Sequence, residues 1–407
     1  MRFYALLLLA PALFQPRAFS ARTDVSFSLT ARIDNTSLAS LISHARIQSF
    51  DLSPDGQTIA LLVTASRQDG ASLWLLIEDI RAKRVSVSSE LGPWPVPTIG
   101  CAQQVRYSSD QRYLVVQDLR TIRVVDSSTL RLIRTIAPPS GDQVPLFVTG
   151  ASNRDIFACA FGAKPKYNFF PHLTPAQVVL VDVSSGEILG GWASEDLPQS
   201  ISPEGDLIAV SSGRVREGLF PLNVIDSHGQ TVASALTGGF AFKHPDQSKP
   251  LGRVVGLFVS ERELLLGPDE GFDKAGQPSG DKLVLAPIEG TRDQKSLAPA
   301  RFRSQGALAV STDKKTVLAL SWYVPARYLV GHRAMPDFQP EVMVFALDEG
   351  LRLEVVLPIR SPGLGAGSWS ENWLPRVSSD GSVIAIPQDR GVTVLTKNVP
   401  ISATPKK

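Results

Sequence analysis

The side chains in this chain that are best suited to covalent or metal chemistry are those of two cysteines and five histidines. The cysteines are Cys101 and Cys159, and the histidines are His44, His172, His228, His244 and His332. No two histidines have the HxH or HExxH spacing of metal ligands, and the cysteines do not form a CxxC motif. The sequence also lacks a GxSxG nucleophile elbow, a P-loop and a dinucleotide-binding fingerprint. We therefore predict no metal and no cofactor, and we assign no catalytic residue.

Disulfide formation and calcium binding are two further chemistries that the sequence allows. An even cysteine count permits a Cys101–Cys159 disulfide in an exported protein, but Cys159 falls in a predicted strand and Cys101 in a predicted loop, which favours two separate thiols. The acidic segment 269–273 could hold calcium, but it lacks the alternating oxygen ligands of a calcium loop. A solvated loop is the favoured interpretation there.

Aromatic and basic side chains are concentrated in two long predicted loops, residues 161–176 and 322–340. Side chains of this kind on loops are typical of recognition surfaces. We predict that the following residues bind a partner or ligand: Tyr167, Phe169, His172, Trp322, Tyr323, Arg327, Tyr328 and His332. The alternative for each residue is a structural role, capping a sheet or filling the centre of the fold. Basic residues interleaved with aromatic ones would suit a peptide or a glycan that carries a carboxylate.

A repeated turn shows which elements must position these loops. The tetrapeptide Ser53-Pro54-Asp55-Gly56 precedes an apolar strand at 58–63, and copies of this unit begin at six later serines. Those serines are Ser108, Ser152, Ser202, Ser260, Ser311 and Ser378. The intervals between successive copies range from 44 residues (108 to 152) to 67 residues (311 to 378), close to the period of propeller blades. Ser and Asp bond the local backbone, Pro presets φ and Gly supplies a positive φ, so each turn reverses two antiparallel strands tightly.

The segments after each turn predict an all-β, seven-bladed β-propeller of four-stranded antiparallel blades. Short β-branched runs follow the first strand of each unit, at 122–126, 178–182, 222–226, 283–285 and 342–345. Counting the strand that enters each turn gives four strands per repeat, which is one blade. The last repeat lacks a fourth strand, whereas the alternating segment 25–33 has no partner of its own. We expect residues 25–33 to pair with 392–395 and so close the ring.

The repeated unit resembles the repeats of TolB-type and WD-repeat-like β-propellers. Segments 122–136 and 178–189 are similar to the bacterial surface-propeller repeats known by a Tyr-Val-Thr-Asn signature, although that tetrapeptide and a regular Trp-Asp dipeptide are absent. The resemblance covers residues 24–398 and implies one propeller domain of a bacterial exported protein. It implies little about activity, because propellers support binding, scaffolding and catalysis.

The N-terminal segment has the layout of a secretory signal peptide. Arg2 precedes an apolar stretch at 3–14, and Ala18-Phe19-Ser20 resembles a small-residue cleavage site. We therefore predict a signal peptide at 1–20, a propeller at 24–398 and a polar tail at 399–407, in a monomer located in the periplasm or outside the cell. The apolar stretch is too short to span a bilayer, and no later segment resembles a transmembrane helix. The net charge of +2 without basic runs argues against nucleic-acid binding.

Two classes of function fit these features. The favoured one is an exported non-catalytic propeller that binds a protein, peptide or glycan partner through long aromatic loops on one face. The alternative is a propeller enzyme, such as a lyase, a hydrolase or a quinone-linked component, with its active site in the central funnel. A histidine within hydrogen-bond reach of an arginine or a carboxylate at the funnel would favour the enzyme.

Overall fold

The computed structural model describes residues 25–67, 70–94, 104–118, 120–163, 175–211, 219–236, 252–269, 282–289, 295–299, 304–323, 339–347, 351–358, 374–388 and 391–398. These residues form 29 β-strands and one four-residue helix, α1 (Asn35–Leu38). The all-β class expected from the short β-branched runs is therefore confirmed.

The strands are arranged in antiparallel blades that follow one another along the chain. Strand β1 (Ser26–Asp34) precedes blade 1, which comprises β2 (Ala45–Leu52), β3 (Thr58–Arg67), β4 (Gly70–Asp79) and β5 (Arg84–Trp94). Blade 2 comprises β6 (Gln104–Tyr107), β7 (Tyr113–Gln117), β8 (Ile122–Asp126) and β9 (Leu132–Ile136). Blade 3 comprises β10 (Gln143–Gly150), β11 (Ile156–Ala163), β12 (Pro175–Asp182) and β13 (Ile188–Ala193).

The second half of the ring repeats this order with one addition. Blade 4 comprises β14 (Leu197–Ile201), β15 (Leu207–Ser211), β17 (Leu222–Asp226) and β18 (Thr231–Leu236), with β16 (Leu219–Phe220) outside it. Blade 5 comprises β19 (Gly252–Phe258), β20 (Glu263–Asp269), β21 (Lys282–Pro287) and β22 (Lys295–Pro299). Blade 6 comprises β23 (Ser304–Val310), β24 (Thr316–Tyr323), β25 (Gln339–Leu347) and β26 (Leu351–Pro358). Blade 7 comprises β27 (Arg376–Val377), β28 (Val383–Gln388), β29 (Gly391–Asn398) and β1.

The structure is thus a seven-bladed β-propeller, as the repeat predicted. Two short parallel pairings were not expected from the sequence. Strand β16 pairs with β19 at Leu219 and Phe220, and a single bridge joins Asp269 of blade 5 to Ser304 of blade 6. Both connect neighbouring blades and leave the four-stranded repeat intact.

The ring is closed by β1, which pairs with β29 as the outer strand of blade 7. The antiparallel register runs from Ser26 opposite Asn398 to Asp34 opposite Gly391. The hydroxyls of Thr30 and Thr396 are 2.6 Å apart, so the two strands also share a side-chain hydrogen bond. The predicted closure of the ring by residues 25–33 is confirmed.

Each well-formed turn owes its shape to the buried serine that begins it. The Ser53 hydroxyl donates to the Asp55 carboxylate (2.6 Å) and accepts from the backbone N–H of Thr58 (2.9 Å). The same serine-to-aspartate bond recurs in blades 2, 6 and 7. Gly56 has φ +70°, a conformation that glycine adopts without strain. The turn is therefore a hydrogen-bonded unit, and its serine is a structural residue.

The backbone register corrects two of the seven predicted turn positions. The serine N–H of a regular turn bonds to the carbonyl five residues later, as from Ser53 to Thr58. In blade 3 this bond runs from Ala151 to Ile156, and in blade 5 a shorter one runs from Val259 to Glu263. The equivalent positions are therefore Ala151 and Val259, and the expected Ser152 and Ser260 were wrong by one residue. A buried apolar side chain fills the place of the serine in both blades.

The first strands of the blades surround the axis of the ring, because they contact one another in an unbroken circle from β2 to β27 and back to β2. Apart from the short parallel pairings of β19 with β16 and of β23 with β20, the inner edges of these strands have no strand partner in the described part of the chain, so their backbone groups need other hydrogen bonds. Side chains of the preceding blade supply several of them. Ser49 accepts from the N–H of Val105 (3.3 Å), and the Gln199 side chain accepts from the N–H of Gly256 (3.0 Å). Polar residues of the first strands thus join the blades at the centre.

A buried carboxyl in blade 1 gives the stability of the fold a pH dependence. Glu78 in β4 is 8% exposed, and its burial raises the pKa of the carboxyl to about 7. Between about pH 4.5 and pH 7 the folded protein therefore holds a proton that the unfolded chain releases, and the free energy of unfolding falls as the pH rises through this window.

We expect Glu78→Gln to be more stable than the wild type at about pH 8 and of similar stability at about pH 5. Glutamine resembles the neutral carboxyl, so the substitution removes the cost of burying the charge. Urea denaturation at both pH values measures the difference. An equal stability difference at the two pH values would contradict the assignment of the effect to ionisation of Glu78.

Candidate interaction face and central cluster

Three long connections leave the ring on one face, where they link the second and third strands of blades 3, 5 and 6. They run from β11 to β12, from β20 to β21 and from β24 to β25. Because successive strands are antiparallel, the strand ends that these connections join lie on the same face as the ends joined between successive blades, and opposite the serine turns. We call this the long-loop face. Its position agrees with the expectation from the sequence.

Six of the eight predicted binding residues lie outside the described residues: Tyr167, Phe169, His172, Arg327, Tyr328 and His332. The other two, Trp322 and Tyr323, were expected in a loop, and this placement was wrong. They are the last residues of β24, opposite Pro340 and Gln339 of β25. Aromatic residues favour strands, and the hairpin pairing extends to the last residue of β24.

The connection in blade 3 is also shorter than expected. Phe161, predicted to begin the loop, belongs to β11 and is completely buried. It packs with Phe157 and Cys159 in a core cluster between blades 2 and 3. The β11–β12 connection therefore begins after Ala163.

Cys159 is a free thiol in the middle of β11, where burial raises its pKa to about 12. A buried, protonated thiol is inert, which is the structural role expected for this residue. Cys101, the other cysteine, lies outside the described residues. The described residues contain no group of three or more histidine, cysteine, aspartate or glutamate side chains that could hold a metal ion.

Two histidines, His44 and His228, are among the described residues, and both are exposed. The backbone N–H of His228 donates to Asp226 in a surface turn (2.9 Å). No hydrogen bond joins either imidazole to an arginine or a carboxylate within the described part of the chain. The arrangement that would favour an enzyme is therefore not seen at these two histidines.

A group of charged residues that the sequence analysis did not identify lies at the centre of the ring. Asp51, Arg106 and Arg376 come from the first strands of blades 1, 2 and 7, which are neighbours in the closed ring. Each stands two residues before the serine that begins the turn of its blade. We call these three residues the Asp51 cluster.

Both arginines of the cluster converge on the single carboxylate. Nε of Arg376 lies 2.9 Å from one oxygen of Asp51, and Nη1 of Arg106 lies 3.9 Å from the same oxygen. The other carboxylate oxygen accepts the backbone N–H of Tyr107 at 2.8 Å. Asp51 therefore joins the first strands of three consecutive blades.

Two of the three members of the cluster are buried, and Arg106 is half-buried. Asp51 and Arg376 are 8% and 9% exposed. Burial lowers the pKa of Arg376 and so does the charge of Arg106, while Asp51 acts in the opposite direction. Guanidinium groups remain protonated in proteins, so both arginines carry a positive charge beside the Asp51 carboxylate. Nη2 of Arg376 is buried and has no hydrogen-bond partner among the described residues.

The register of the repeat was the signal that could have revealed this cluster. In every blade the equivalent position pairs with the second strand in the same way, as Asp51 does with Ala60 and Arg376 with Ala385. The other blades place uncharged residues there: Thr149, Ser200, Leu257 and Ala309. Aligning the seven turns and comparing this position would have shown charges in three adjacent blades and in no others.

Comparisons with known proteins show the fold. No protein-family model and no curated protein matches the sequence. A chain in a crystal structure of a mitotic checkpoint complex is 14% identical, with 97% of this chain and 98% of that chain covered and a TM-score of 0.51. A chain of hydrazine synthase from Kuenenia stuttgartiensis is also 14% identical, with 86% and 95% covered and a TM-score of 0.54. At identities this low, the structural similarity shows a shared fold and carries no information on activity.

The one helix of the described residues, α1, is too short and not apolar enough to cross a bilayer.

Proposed function

We propose that this protein is an exported, non-catalytic propeller whose long-loop face binds a protein, peptide or glycan partner. The observation that carries the proposal is the placement of three long connections on one face of the ring. Two of them contain the aromatic and basic residues of segments 161–176 and 322–340 other than Phe161, Trp322 and Tyr323, which belong to strands. Loops held by a rigid scaffold are where proteins most often place binding residues.

The strands that support these loops favour a defined binding surface. β24 and β25 pair without a bulge from Thr316 opposite Ala346 to Tyr323 opposite Gln339. Their ladder thus extends to the base of the loop that holds Arg327, Tyr328 and His332. A fixed base lowers the conformational entropy that the loop loses when a partner binds.

Export is part of this proposal and rests on the N-terminal sequence. Arg2, the apolar stretch at 3–14 and the small residues before position 21 form the pattern of a cleaved secretory signal. The TolB-type and Tyr-Val-Thr-Asn resemblance supports the same location. The partner is then a molecule of the periplasm or of the cell exterior.

The two structural neighbours show why the loops, and not the fold, support this function. One belongs to a protein complex, and the other belongs to an enzyme, hydrazine synthase. A propeller fold therefore occurs both in a protein complex and in an enzyme. Binding is favoured here because the sequence contains aromatic and arginine side chains in long loops, with no recognisable nucleophile or acid–base pair.

We expect the triple variant Tyr167→Ala/Tyr323→Ala/Tyr328→Ala to lose capture of the partner while its thermal stability stays nearly unchanged. Tyrosines of a binding surface supply contact area to a partner and contribute little to the core. The measurement is affinity capture from the extracytoplasmic fraction with the mature protein as bait, followed by a melting curve of each variant.

The matched control is Leu132→Ala/Ile133→Ala, which removes exposed apolar side chains from the outer strand of blade 2. It should capture the same species as the wild type. Two results would refute the proposal. One is full capture by the tyrosine variant, and the other is a loss of stability near 3–5 kcal/mol per residue, which would show that the tyrosines are core residues.

A further inference from the structure

We propose that the ring has a seam between blades 5 and 6, where it opens on the face opposite the long-loop face. We call this opposite face the turn face, because it carries the turns between the first and second strands of the blades. Hydrogen bonds across the turn face join the turns of the other neighbouring blades. The turns of blades 5 and 6, residues 259–262 and 311–315, are both described in full, and no hydrogen bond joins them.

The junctions on either side of blade 7 show what the seam lacks. The backbone N–H of Ser379 in the turn of blade 7 donates to the carbonyl of Pro54 in blade 1 at 2.7 Å. The N–H of Asp313 in blade 6 donates to the carbonyl of Ser379 at 2.8 Å, and the Ser379 hydroxyl donates to that of Thr312 at 3.1 Å. Backbone hydrogen bonds thus join the turns of blades 6, 7 and 1 in series.

The turns of blades 1 to 5 are also joined one to the next, in part through side chains. The bonds run from the Gln111 amide to Asp55 (3.0 Å), from the Ser109 hydroxyl to Asp155 (2.8 Å), from the Asn153 N–H to the Pro203 carbonyl (3.0 Å) and from the Glu204 N–H to the Glu261 carboxylate (2.8 Å). Every other junction of the ring therefore has at least one bond between its turns, and the junction of blades 5 and 6 is the exception among the described turns.

The short turn of blade 5 gives a physical reason for the missing bond. The bond that closes this turn runs from Val259 to the residue four positions later, whereas the equivalent bond of Ser311 in blade 6 reaches five positions ahead. One residue fewer draws the tip of the turn back toward its strands and away from blade 6. The Glu261 carboxylate accepts the N–H of Glu204, so it is directed toward blade 4.

Other contacts hold the seam at its middle and on the long-loop face. Side chains of both blades, such as Val259, Phe345 and Leu351, form one apolar cluster. A single backbone bridge joins Asp269 to Ser304 at the strand ends of the long-loop face. The seam therefore opens on the turn face about a hinge at this bridge, and the opening admits water to the apolar side chains nearest the turns. The proposal does not depend on the partner surface described above, which lies on the other face.

Hydrogen exchange of the wild type, followed by mass spectrometry with residue-level fragmentation, tests the proposal. The reporters are amides that donate to the last carbonyl of a turn, namely those of Ile288 and Leu347 at the seam and of Ile80 and Lys397 in blades 1 and 7. After correction for intrinsic rates, we expect the two seam amides to exchange about tenfold faster than the other two. A factor of this size corresponds to the loss of one or two hydrogen bonds that keep a junction closed.

Substitutions in blade 7 create the same defect at a closed junction. Ser379→Pro removes the N–H that donates to Pro54, and the turn should accept it because blade 1 has proline at the equivalent position. We expect exchange at Lys397 and Ile80 to rise about tenfold. Ser379→Ala is the matched control, since it keeps the N–H and removes only the hydroxyl, and it should leave exchange at these two amides nearly unchanged.

Two results would overturn the proposal. The first is exchange at the seam amides that is equal to, or slower than, exchange at Ile80 and Lys397 in the wild type, a comparison that needs no variant to fold. The second is equal exchange in Ser379→Pro and Ser379→Ala, which would show that bonds between turns do not keep the junctions closed.

Discussion

Replacing Asp51 with alanine should lower the free energy of unfolding by about 3–5 kcal/mol, the cost of breaking a buried ion pair. The substitution leaves the guanidiniums of Arg106 and Arg376 without their shared counter-charge and the N–H of Tyr107 without its acceptor. Because these groups belong to three consecutive blades, the loss falls on the contacts that hold the blades together. Urea denaturation, followed by far-UV circular dichroism, measures it.

The double variant Asp51→Ala/Arg376→Met separates the ion pair from the packing of the side chains. It removes the buried unpaired guanidinium of Arg376, so it should be more stable than Asp51→Ala alone. If Asp51→Ala instead costs under about 1 kcal/mol, as for an exposed pair, the cluster is not a buried junction between the blades.

Replacing Ile33 with alanine should cost about 2–5 kcal/mol, because Ile33 is completely buried where β1 closes the ring. Its side chain belongs to a core cluster that includes residues of blades 1 and 7, such as Leu61 and Val392. The cavity left by the substitution therefore weakens the contact between the first and last blades. Denaturation in guanidinium chloride measures the loss.

Leu29 provides a control on the same strand. It is 64% exposed, so Leu29→Ala should change the stability by no more than about 0.5 kcal/mol. Equal effects of the two substitutions would show that β1 is not packed as described, and would argue against its role in closing the ring.

Much of this fold could be predicted from the sequence because its main signal is local. The Ser53 turn is specified by side chains within six residues of one another, whose hydrogen bonds recur in four blades. Blades 3 and 5 lack that network, since Ala151 and Val259 stand in the serine position. There the neighbouring Ser152 and Ser260 gave a register that was wrong by one residue. The parallel pairing of β16 with β19 has no local signal at all.

The candidate sites differ in how far the sequence reveals them. The long loops could be predicted because a loop is a gap between two strand patterns, and the structure confirms where those strands lie. The limits of β24 could not be predicted, because an aromatic pair such as Trp322 and Tyr323 suits both a strand and a binding loop. The Asp51 cluster was missed because its three members are brought together by ring closure, with Asp51 and Arg376 separated by 325 positions in the sequence.

The pairing of β1 with β29 also determines when the protein can finish folding. Thr30 and its partner Thr396 are 366 residues apart, so at 5–20 residues per second a ribosome makes the second strand about 20–70 s after the first. During that interval β1 has no partner, and blade 1 has no neighbour on its blade 7 side. Local blades can form within milliseconds to seconds, whereas closure waits for synthesis of the last blade. Closure of the ring therefore cannot precede synthesis of the last blade, however fast the earlier blades form.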